Sequence, residues 1–186
     1  ISDPEQLRQV IGWIIQVCNA LEYAHERRII HRDIKPENIM VGNYGEVYLL
    51  DWGIALELDK ADSLPVGLMG TPAYMAPEML SGNPKDISIQ TDVYLVGATL
   101  HELLTGSTRH SGTDLLGTLF QAEQSLPYDY SEKIPYEIAD ICNKACHVDC
   151  LKRFESIQDL KQSLLVFLEH RDADKMSRAA MNELEQ

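Results

Sequence analysis

The chain has 186 residues and a mass of 21.0 kDa, about the size of one domain. Its 45% hydrophobic and 24% charged residues are typical of a globular domain, and only 11 glycines and 8 prolines exclude collagen-like and low-complexity classes. The formal net charge of −13 argues against nucleic acid as a partner, since phosphate backbones are bound mainly by Lys and Arg, and it favours neutral or cationic partners.

The first predicted element is an amphipathic helix over residues 5–26. Ser2 or Asp3 can cap its start, and Pro4 suits the first turn because its missing N–H has no partner there. Residues 29–58 then change to short β-prone pieces, at 29–30, 39–41 and 47–50, between turn signals. The apolar residues of the helix recur at three- and four-residue steps on one face; they are Leu7, Val10, Ile11, Ile14, Cys18, Leu21 and Ala24.

The second half of the chain is predicted to be helical. Residues 59–90, which precede these helices, are rich in Asp, Ser, Pro and Gly and show no sustained period. This composition predicts a long loop. Residues 92–104, DVYLVGATLHELL, are apolar almost all round and predict a buried central helix that ends at Gly106. Further helices are predicted near 113–123, 135–147 and 156–169.

The predicted fold class is therefore mainly α, with a few short strands. We expect one domain over residues 1–169. The last 17 residues, 170–186, are charged and weakly periodic. They are predicted to form either a frayed helical extension or a linker.

Targeting signals are not evident in the sequence. No stretch approaches 18 uninterrupted apolar residues, and the first ten, ISDPEQLRQV, lack the basic and apolar regions of a signal peptide. We therefore expect no membrane partner within this chain. Because it begins with Ile1 rather than Met, we expect it to be a piece of a longer protein. Four cysteines do not make a disulfide framework here, so we expect a reducing compartment, the cytoplasm.

Five landmarks carry the functional information. The first three are HRDIKPEN at residues 31–38, DWG at residues 51–53 and GTPAYMAPE at residues 70–78. Asp92 begins the predicted central helix, and Arg153 precedes the last one. Over residues 3–168 this ordered set closely resembles the eukaryotic-type Ser/Thr protein kinases.

The resemblance implies the fold of a kinase C-terminal lobe. Residues 31–38 are similar to the catalytic loop H-R-D-x-x-x-x-N, residues 51–53 to the metal-binding D-F-G with Trp in place of Phe, and residues 70–78 to the end of the activation segment. A second HRD triplet at residues 170–172 is not followed by K-P-E-N, and we assign it no function.

Phosphoryl transfer explains these residue types, because the protein mainly positions groups and neutralises charge. The resemblance implies that Asp33 accepts the proton of the substrate hydroxyl and that Lys35 contacts the transferring phosphoryl group. Asn38 and Asp51 then supply oxygen ligands for Mg²⁺ beside the phosphates of ATP. Taken singly, Asp33, Lys35 and Asn38 are equally ordinary turn, surface and capping residues.

Substrate preference follows from the same resemblance. Lys35 together with G-T-x-x-Y before A-P-E marks Ser/Thr specificity in the family. Thr71 is expected to hydrogen-bond toward Asp33 and Lys35, and initiation of the Pro72 turn is its alternative role. Glu37 lies where some family members recognise a basic residue ahead of the acceptor, or it is a solvated surface glutamate. The expected partner is a protein substrate with a Ser or Thr acceptor.

A further group is expected to support the site. Glu78 and Arg153 resemble the family's ion pair between the activation segment and the late helices. Asp92 is expected to accept backbone N–H bonds from residues 31–32. His31 and Trp52 are expected to stack in the core beneath the site. The supporting residues are His31, Arg32, Trp52, Gly53, Asp92 and Arg153.

Arg32 beside the catalytic Asp suggests activation by a phosphate on the activation segment. Between residues 53 and 70 the only hydroxyl side chain is that of Ser63, which makes it the candidate acceptor. The neighbouring carboxylates of Glu57, Asp59 and Asp62 could take the place of a phosphate.

Cys142, Cys146 and Cys150, with His147, also raise a metal-site hypothesis. Their four-residue steps share a helix face, but structural zinc sites favour C-x₂₋₄-C from turns. Since Cys142 and Cys146 continue an apolar row, small core residues are the preferred interpretation.

The family's nucleotide-gripping motifs do not occur in the sequence: it has neither G-x-G-x-x-G nor V-A-I-K. We therefore expect the N-terminal lobe to be missing, the isolated chain to be nearly inactive, and ATP and Mg²⁺ to act in the longer parent. The surface around Met40, Trp52 and residues 39–41 is then uncovered, and two copies could bury it in a homodimer.

Three function hypotheses follow. We favour the C-terminal lobe of an active Ser/Thr protein kinase. A pseudokinase-type interaction or scaffold module and a kinase-like small-molecule phosphotransferase are the alternatives.

Overall fold

The computed structural model describes residues 3–184, apart from the side chains of residues 174 and 177–184. Within this range the fold is mainly helical with short strands, so the predicted class is confirmed. The α-helices are α1 (Pro4–Glu26), α2 (Ile89–Thr105), α3 (Leu115–Gln124), α4 (Tyr136–Ala145) and α5 (Ile157–Leu184). The strands are β1 (Ile29–Ile30), β2 (Ile39–Val41), β3 (Val47–Leu49) and β4 (Leu56–Glu57).

Helix α1 forms where the apolar period predicts it. Asp3 is the N-cap, its side chain accepting from the Glu5 N–H at 3.1 Å, and Pro4 occupies the first turn. The predicted apolar face is buried, and it packs against α2 and α5.

Helix α2 is the centre of the fold. All residues from Thr91 to His101 are buried, which agrees with a sequence that is apolar almost all round. The helix begins three residues before the predicted start, because the Thr91 hydroxyl accepts the Ser88 N–H at 3.2 Å. It ends at Gly106, whose φ of 78° is the left-handed conformation that glycine adopts without a Cβ penalty.

The strands form two small antiparallel sheets that flank the loops of the site. β2 and β3 form a hairpin in which Ile39 faces Leu49. β1 pairs with β4, with Ile30 opposite Leu56. Strand β4 was not predicted; its two residues, Leu and Glu, lack the paired β-branched residues that marked β1.

The segment predicted as one long loop contains three 3₁₀ helices, at Leu58–Ser63, Pro77–Ser81 and Pro84–Asp86. Such short i→i+3 turns have no apolar period from which they could be predicted. Two of them begin with a proline in the first turn, where a missing N–H costs nothing.

Helix α5 continues without a break through residue 170 to Leu184. Asp172, in the second HRD triplet, pairs with Arg8 of α1 and thus has a structural contact. The domain boundary after residue 169 stays a prediction. No helix in the part of the chain that is described is both long and apolar enough to cross a membrane.

Candidate active site

The loop of residues 31–35 follows β1 and is held on helix α2 by Asp92. Asp92 is fully buried; its Oδ2 accepts the His31 N–H at 2.8 Å and its Oδ1 the Arg32 N–H at 3.0 Å. His25 Nε2 lies 2.8 Å from the same Oδ2. These bonds hold Arg32 at a φ of 70°, a strained conformation that persists only where surroundings over-determine it.

Four of the predicted site residues meet around the Asp33 carboxylate. Its Oδ2 accepts from Lys35 Nζ at 2.8 Å and from Asn38 Nδ2 at 3.1 Å, and its Oδ1 accepts from the Thr71 hydroxyl at 2.6 Å. Lys35 also donates to Thr71 Oγ1 at 2.7 Å, and Asn38 to the Asp33 carbonyl at 2.7 Å. The predicted contacts of Thr71 with Asp33 and Lys35 are therefore present.

The electrostatics of this group keep Asp33 ionised. Partial burial acts to raise the pKa of Asp33, but the hydrogen bonds from Lys35, Thr71 and Asn38 outweigh it and hold that pKa below its usual value. A carboxylate of low pKa is a weak base. It is suited to orient a hydroxyl by accepting its hydrogen bond.

Asn38 and Asp51 lie on adjoining segments, because the Leu50 N–H donates to the Asn38 carbonyl at 2.8 Å. The Asn38 amide nitrogen bonds Asp33, which leaves its amide oxygen for a cation. Asp51 is exposed, has a φ of 57°, and accepts the Gly53 N–H at 3.3 Å. An amide and a carboxylate oxygen fit the hard-oxygen preference of Mg²⁺.

These two residues do not form a complete metal cage. Among the described residues there is no group of three or more His, Cys, Asp or Glu that could hold a metal ion. The donor set therefore fits a Mg²⁺ whose other ligands are phosphates and water, which is how Mg²⁺ is commonly bound.

His31 and Trp52 are in contact, but they do not both lie in the core. Their ring centroids are 4.5 Å apart at 63°, an edge-to-face arrangement rather than a stack. His31 is fully buried, with Nε2 2.9 Å from the Leu50 carbonyl. Trp52 is 37% exposed and donates to the Leu49 carbonyl at 3.0 Å, so the prediction that it lies in the core is wrong.

The Arg32 guanidinium is not directed at Ser63. Its Nε donates to the Ile54 carbonyl at 2.6 Å, and its Nη2 lies 3.7 Å from Met69 Sδ. Burial lowers the pKa of Arg32, although Asp92 acts in the opposite direction. Ser63 is exposed, and its hydroxyl donates to the Lys60 carbonyl at 2.8 Å.

The acidic neighbours of Ser63 have partners of their own. Asp59 pairs with Arg28 at 2.6 Å, and Asp62 pairs with Lys85 at 2.7 Å. Both pairs are exposed, so each stabilises the segment only weakly. Glu37 is also exposed, and its role toward a basic substrate stays a prediction.

Glu78 and Arg153 form the expected ion pair. It is bidentate, with Arg153 Nη1 at 2.7 Å from Glu78 Oε1 and Nη2 at 2.8 Å from Oε2. The Arg153 side chain is fully buried, and Nη1 also donates to the Gln90 carbonyl. The pair joins the end of the activation segment to the connection before α5.

Two supporting residues escaped sequence reasoning. His25 reaches Asp92 from α1, and no local pattern marks that contact across 67 positions. The buried Thr99 hydroxyl donates to the Ile34 carbonyl at 3.2 Å. Thr99 lies seven residues after Asp92, two turns along the same helix face, and that spacing could have identified it.

The cysteines agree with the preferred interpretation. Cys142 and Cys146 are buried in the core between α4 and α2, and Cys146 Sγ lies 3.7 Å from the Tyr94 carbonyl. Cys150 is half-buried in a separate 3₁₀ helix.

Comparison with known proteins agrees with this geometry. A family model described as protein kinase domain matches residues 4–166. The Ser/Thr-protein kinase PknD of Protochlamydia amoebophila (strain UWE25) is 34% identical over 84% of this chain and 18% of its own length. PknD of Chlamydia felis (strain Fe/C-56) is 32% identical over 80% of this chain and 18% of its own length. Rhodopsin kinase GRK1 of Rattus norvegicus is 36% identical over 78% of this chain and 26% of its own length. The chain thus spans less than a fifth of the two PknD relatives.

Proposed function

The chain belongs to the protein kinase family, and from that premise we propose that it is the C-terminal lobe of a Ser/Thr protein kinase. The lobe serves transfer of the ATP γ-phosphate to Ser or Thr hydroxyls of protein substrates in a longer parent protein. The observation that carries the proposal is the hydrogen-bonded group of Asp33, Lys35, Asn38 and Thr71. It ties the catalytic loop to the end of the activation segment, so that base and peptide platform are positioned together.

The roles follow from the contacts. The ionised Asp33 carboxylate orients the substrate hydroxyl and accepts its proton, while the new O–P bond forms and the bond from the γ-phosphorus to the bridging oxygen of ATP breaks, which releases ADP. Lys35, already beside Asp33 at 2.8 Å, is placed to neutralise charge on the transferring phosphoryl group. Thr71 bonds both residues, so its position reports whether the activation segment is ordered.

Asn38 and Asp51 would hold Mg²⁺, which neutralises phosphate charge when it is bound with ATP. Asn38 keeps its amide nitrogen on Asp33, and so it couples the metal side of the site to the base. Asp51 is exposed, so its carboxylate would be free to turn toward the cation. The exposed Glu37 carboxylate is placed to attract a basic residue near the acceptor, which also agrees with the net charge of −13.

Two further parts of the proposal concern context. The free cysteines, three of them buried, support a reducing, cytoplasmic environment. The sequence contains neither the glycine-rich G-x-G-x-x-G motif nor the V-A-I-K motif with its lysine. The 186 residues alone should therefore bind ATP only weakly and transfer little phosphate. Calorimetry with ATP and Mg²⁺ measures this directly, and micromolar affinity of the isolated chain would contradict it.

The test of the function is Asp33→Asn in a longer protein that carries this chain and the residues ahead of it. Loss of the base should lower transfer of radiolabelled phosphate to a basic peptide by about 10²–10⁴-fold. Asp129→Asn, at an exposed position outside the site, is the matched control and should retain activity. Turnover at the unmodified rate by folded Asp33→Asn would refute the assignment.

The favoured function also differs from the alternatives in one measurable way. A pseudokinase module would show no transfer that depends on Asp33, and a small-molecule phosphotransferase would not need Thr71. Thr71→Val should therefore impair peptide phosphorylation, whereas Thr71→Ser keeps the hydroxyl that bonds Lys35 and Asp33 and should retain most of it.

A further inference from the structure

A groove of about 720 Å³ lies between α4 and α5, and no residue of the catalytic loop lines it. Its floor is apolar: the side chains of Ile141, Phe154 and Phe167 line it and are largely buried. Along its edges Leu151 is 87% exposed and Tyr136 is 81% exposed. Apolar side chains gathered at one exposed concavity are typical of a binding surface.

The groove is also acidic. Four carboxylates line it, and none of them forms an ion pair with a described side chain; they are Glu137, Asp140, Glu155 and Asp159. Arg153 also lines it, but its guanidinium is taken by Glu78. The ammonium of Lys144 lies 4.2 Å from the centre of the Phe154 ring. The guanidinium of Arg171 lies 5.9 Å from the centre of the Phe167 ring. The aromatic floor therefore already contacts two cations, and the four carboxylates outnumber them.

We propose that this α4–α5 groove binds a cationic amphipathic helix of a partner protein. The apolar face of that helix would lie on Leu151, Val166 and the aromatic floor, and its Lys and Arg residues would lie among the carboxylates. Two helices with a groove between them offer the geometry in which a third helix is bound by residues at i, i+3, i+4 and i+7. Helix α4 has 10 residues and is thus about 15 Å long, which matches two to three turns of a ligand helix.

Charge complementarity decides the class of partner. An anionic segment or an acidic surface would be repelled by the unpaired carboxylates, and a neutral apolar segment would leave them without counter-charges. A cationic helix satisfies both the apolar floor and the acidic edges. This site is independent of the phosphoryl-transfer chemistry, so its test does not depend on kinase activity.

The probe is a synthetic 14-residue peptide of Leu and Lys, with the leucines at i, i+3, i+4 and i+7, and its binding to the 186-residue chain is measured by fluorescence anisotropy. A scrambled peptide of the same composition should bind at least about tenfold more weakly, because its leucines do not share a face. Higher salt should weaken binding of the probe.

Matched variants locate the probe. Leu151→Ser should raise the dissociation constant about tenfold, because it removes apolar contact without adding charge, whereas Leu116→Ser, 76% exposed on α3, should leave it unchanged. The two acidic edge residues of α4 provide the charge test: Glu137→Lys with Asp140→Lys should weaken binding about tenfold at low salt. Glu123→Lys with Glu132→Lys changes the net charge equally outside the groove, and it should have a much smaller effect.

Lys144→Gln makes the sharpest prediction. Removing one of the two cations on the aromatic floor should strengthen binding of the cationic peptide several-fold, whereas purely apolar binding would not respond. Equal binding of the scrambled peptide, or equal weakening by the two charge reversals, would overturn the proposal. It would also be overturned if the chain alone formed a dimer that Leu151→Ser dissociates, since the groove would then bind a second copy.

Discussion

Asp92 and Asp51 present the same side chain in opposite surroundings. Asp92 is fully buried and accepts two backbone N–H bonds of 2.8 and 3.0 Å, whereas Asp51 is exposed, has a φ of 57° and accepts one N–H at 3.3 Å. The first holds residues 31–32 on helix α2. The second has no comparable backbone support. Hydrogen bonds are thus concentrated on the loop that carries Asp33 rather than on Asp51.

The contrast extends to the surfaces on either side. The activation segment is attached to the core by the buried Glu78–Arg153 pair. The hairpin surface, defined by Met40, Tyr48 and Trp52, instead exposes 37–50% of each side chain. The buried and the exposed features should therefore contribute unequally to stability and to association, and the expected effects are given from the largest to the smallest.

The buried ion pair should show the largest effect on stability. Glu78→Ala or Arg153→Ala should each lower the free energy of unfolding by about 3–5 kcal/mol, because each leaves a buried charge without its partner. The double variant should cost less than the sum. Denaturant unfolding measures this, and additive losses with unchanged slopes would show that the two residues do not interact. Asp62→Ala with Lys85→Ala removes an exposed pair and should leave the midpoint nearly unchanged.

Asp92→Asn and Asp51→Asn compare the two carboxylates directly. Asp92→Asn should lower the free energy of unfolding by about 3 kcal/mol, since an amide cannot accept both N–H bonds with two charged oxygens. Asp51→Asn should change it by less than about 0.5 kcal/mol, because the position is exposed and Asn tolerates a positive φ. Equal losses for the two variants would contradict the proposed division between an anchored loop and an open one.

Two buried histidines also predict a pH dependence: His101 lies on the helix that carries Asp92, and His110 follows that helix. Burial, with a contribution from Arg109, lowers the pKa of His101 and of His110 to about 4. Because the unfolded value is about 6.5, the unfolded chain binds more protons below that pH, and stability is lost as pH falls from 6.5 toward 4. Between pH 6.5 and 5 the loss is on the order of 2 kcal/mol for each histidine.

Thermal unfolding at a series of pH values tests this dependence. The variant with His101→Gln and His110→Gln should show a flatter curve between pH 6.5 and 5, whatever its absolute stability. A curve of unchanged slope would assign the pH dependence to other groups.

The smallest expected effect is a weak self-association of the chain through its exposed hairpin surface. Light scattering during size-exclusion chromatography should give a mass that rises with concentration. Met40→Ser with Trp52→Ser should restore a constant monomer mass, because it removes exposed apolar area. Leu116→Ser on α3 is the control and should have no effect. A monomer at high concentration without these substitutions would contradict the prediction.

Much of the fold followed from local patterns in the sequence. The apolar period of α1, the apolar run of α2 and the glycine at residue 106 are interactions within a few residues, and they placed those elements closely. The predicted helices near 113–123 and 135–147 agree with α3 and α4 to within two residues at each end. The site residues were recognisable because Asp33, Lys35 and Asn38 lie in one short motif.

Other features depended on contacts that no local pattern encodes. His25 lies 67 positions from Asp92, and Arg153 lies 75 from Glu78. The apolar character of Trp52 predicted burial, but its place beside the open hairpin leaves it exposed. Arg32 is adjacent to Asp33 in sequence, yet its guanidinium is directed at Ile54 and Met69 rather than at Ser63.

By itself, the sequence determined the helical class, the main helices and the resemblance to the protein kinases, because periodicity and motif spacing are properties of neighbouring residues. Only the tertiary structure decided which carboxylate is anchored and which is open, and only it assembled the α4–α5 groove from residues 136–170. The physical reason is that burial and charge pairing depend on which distant segments pack together, and a change of packing alters both without altering any local pattern.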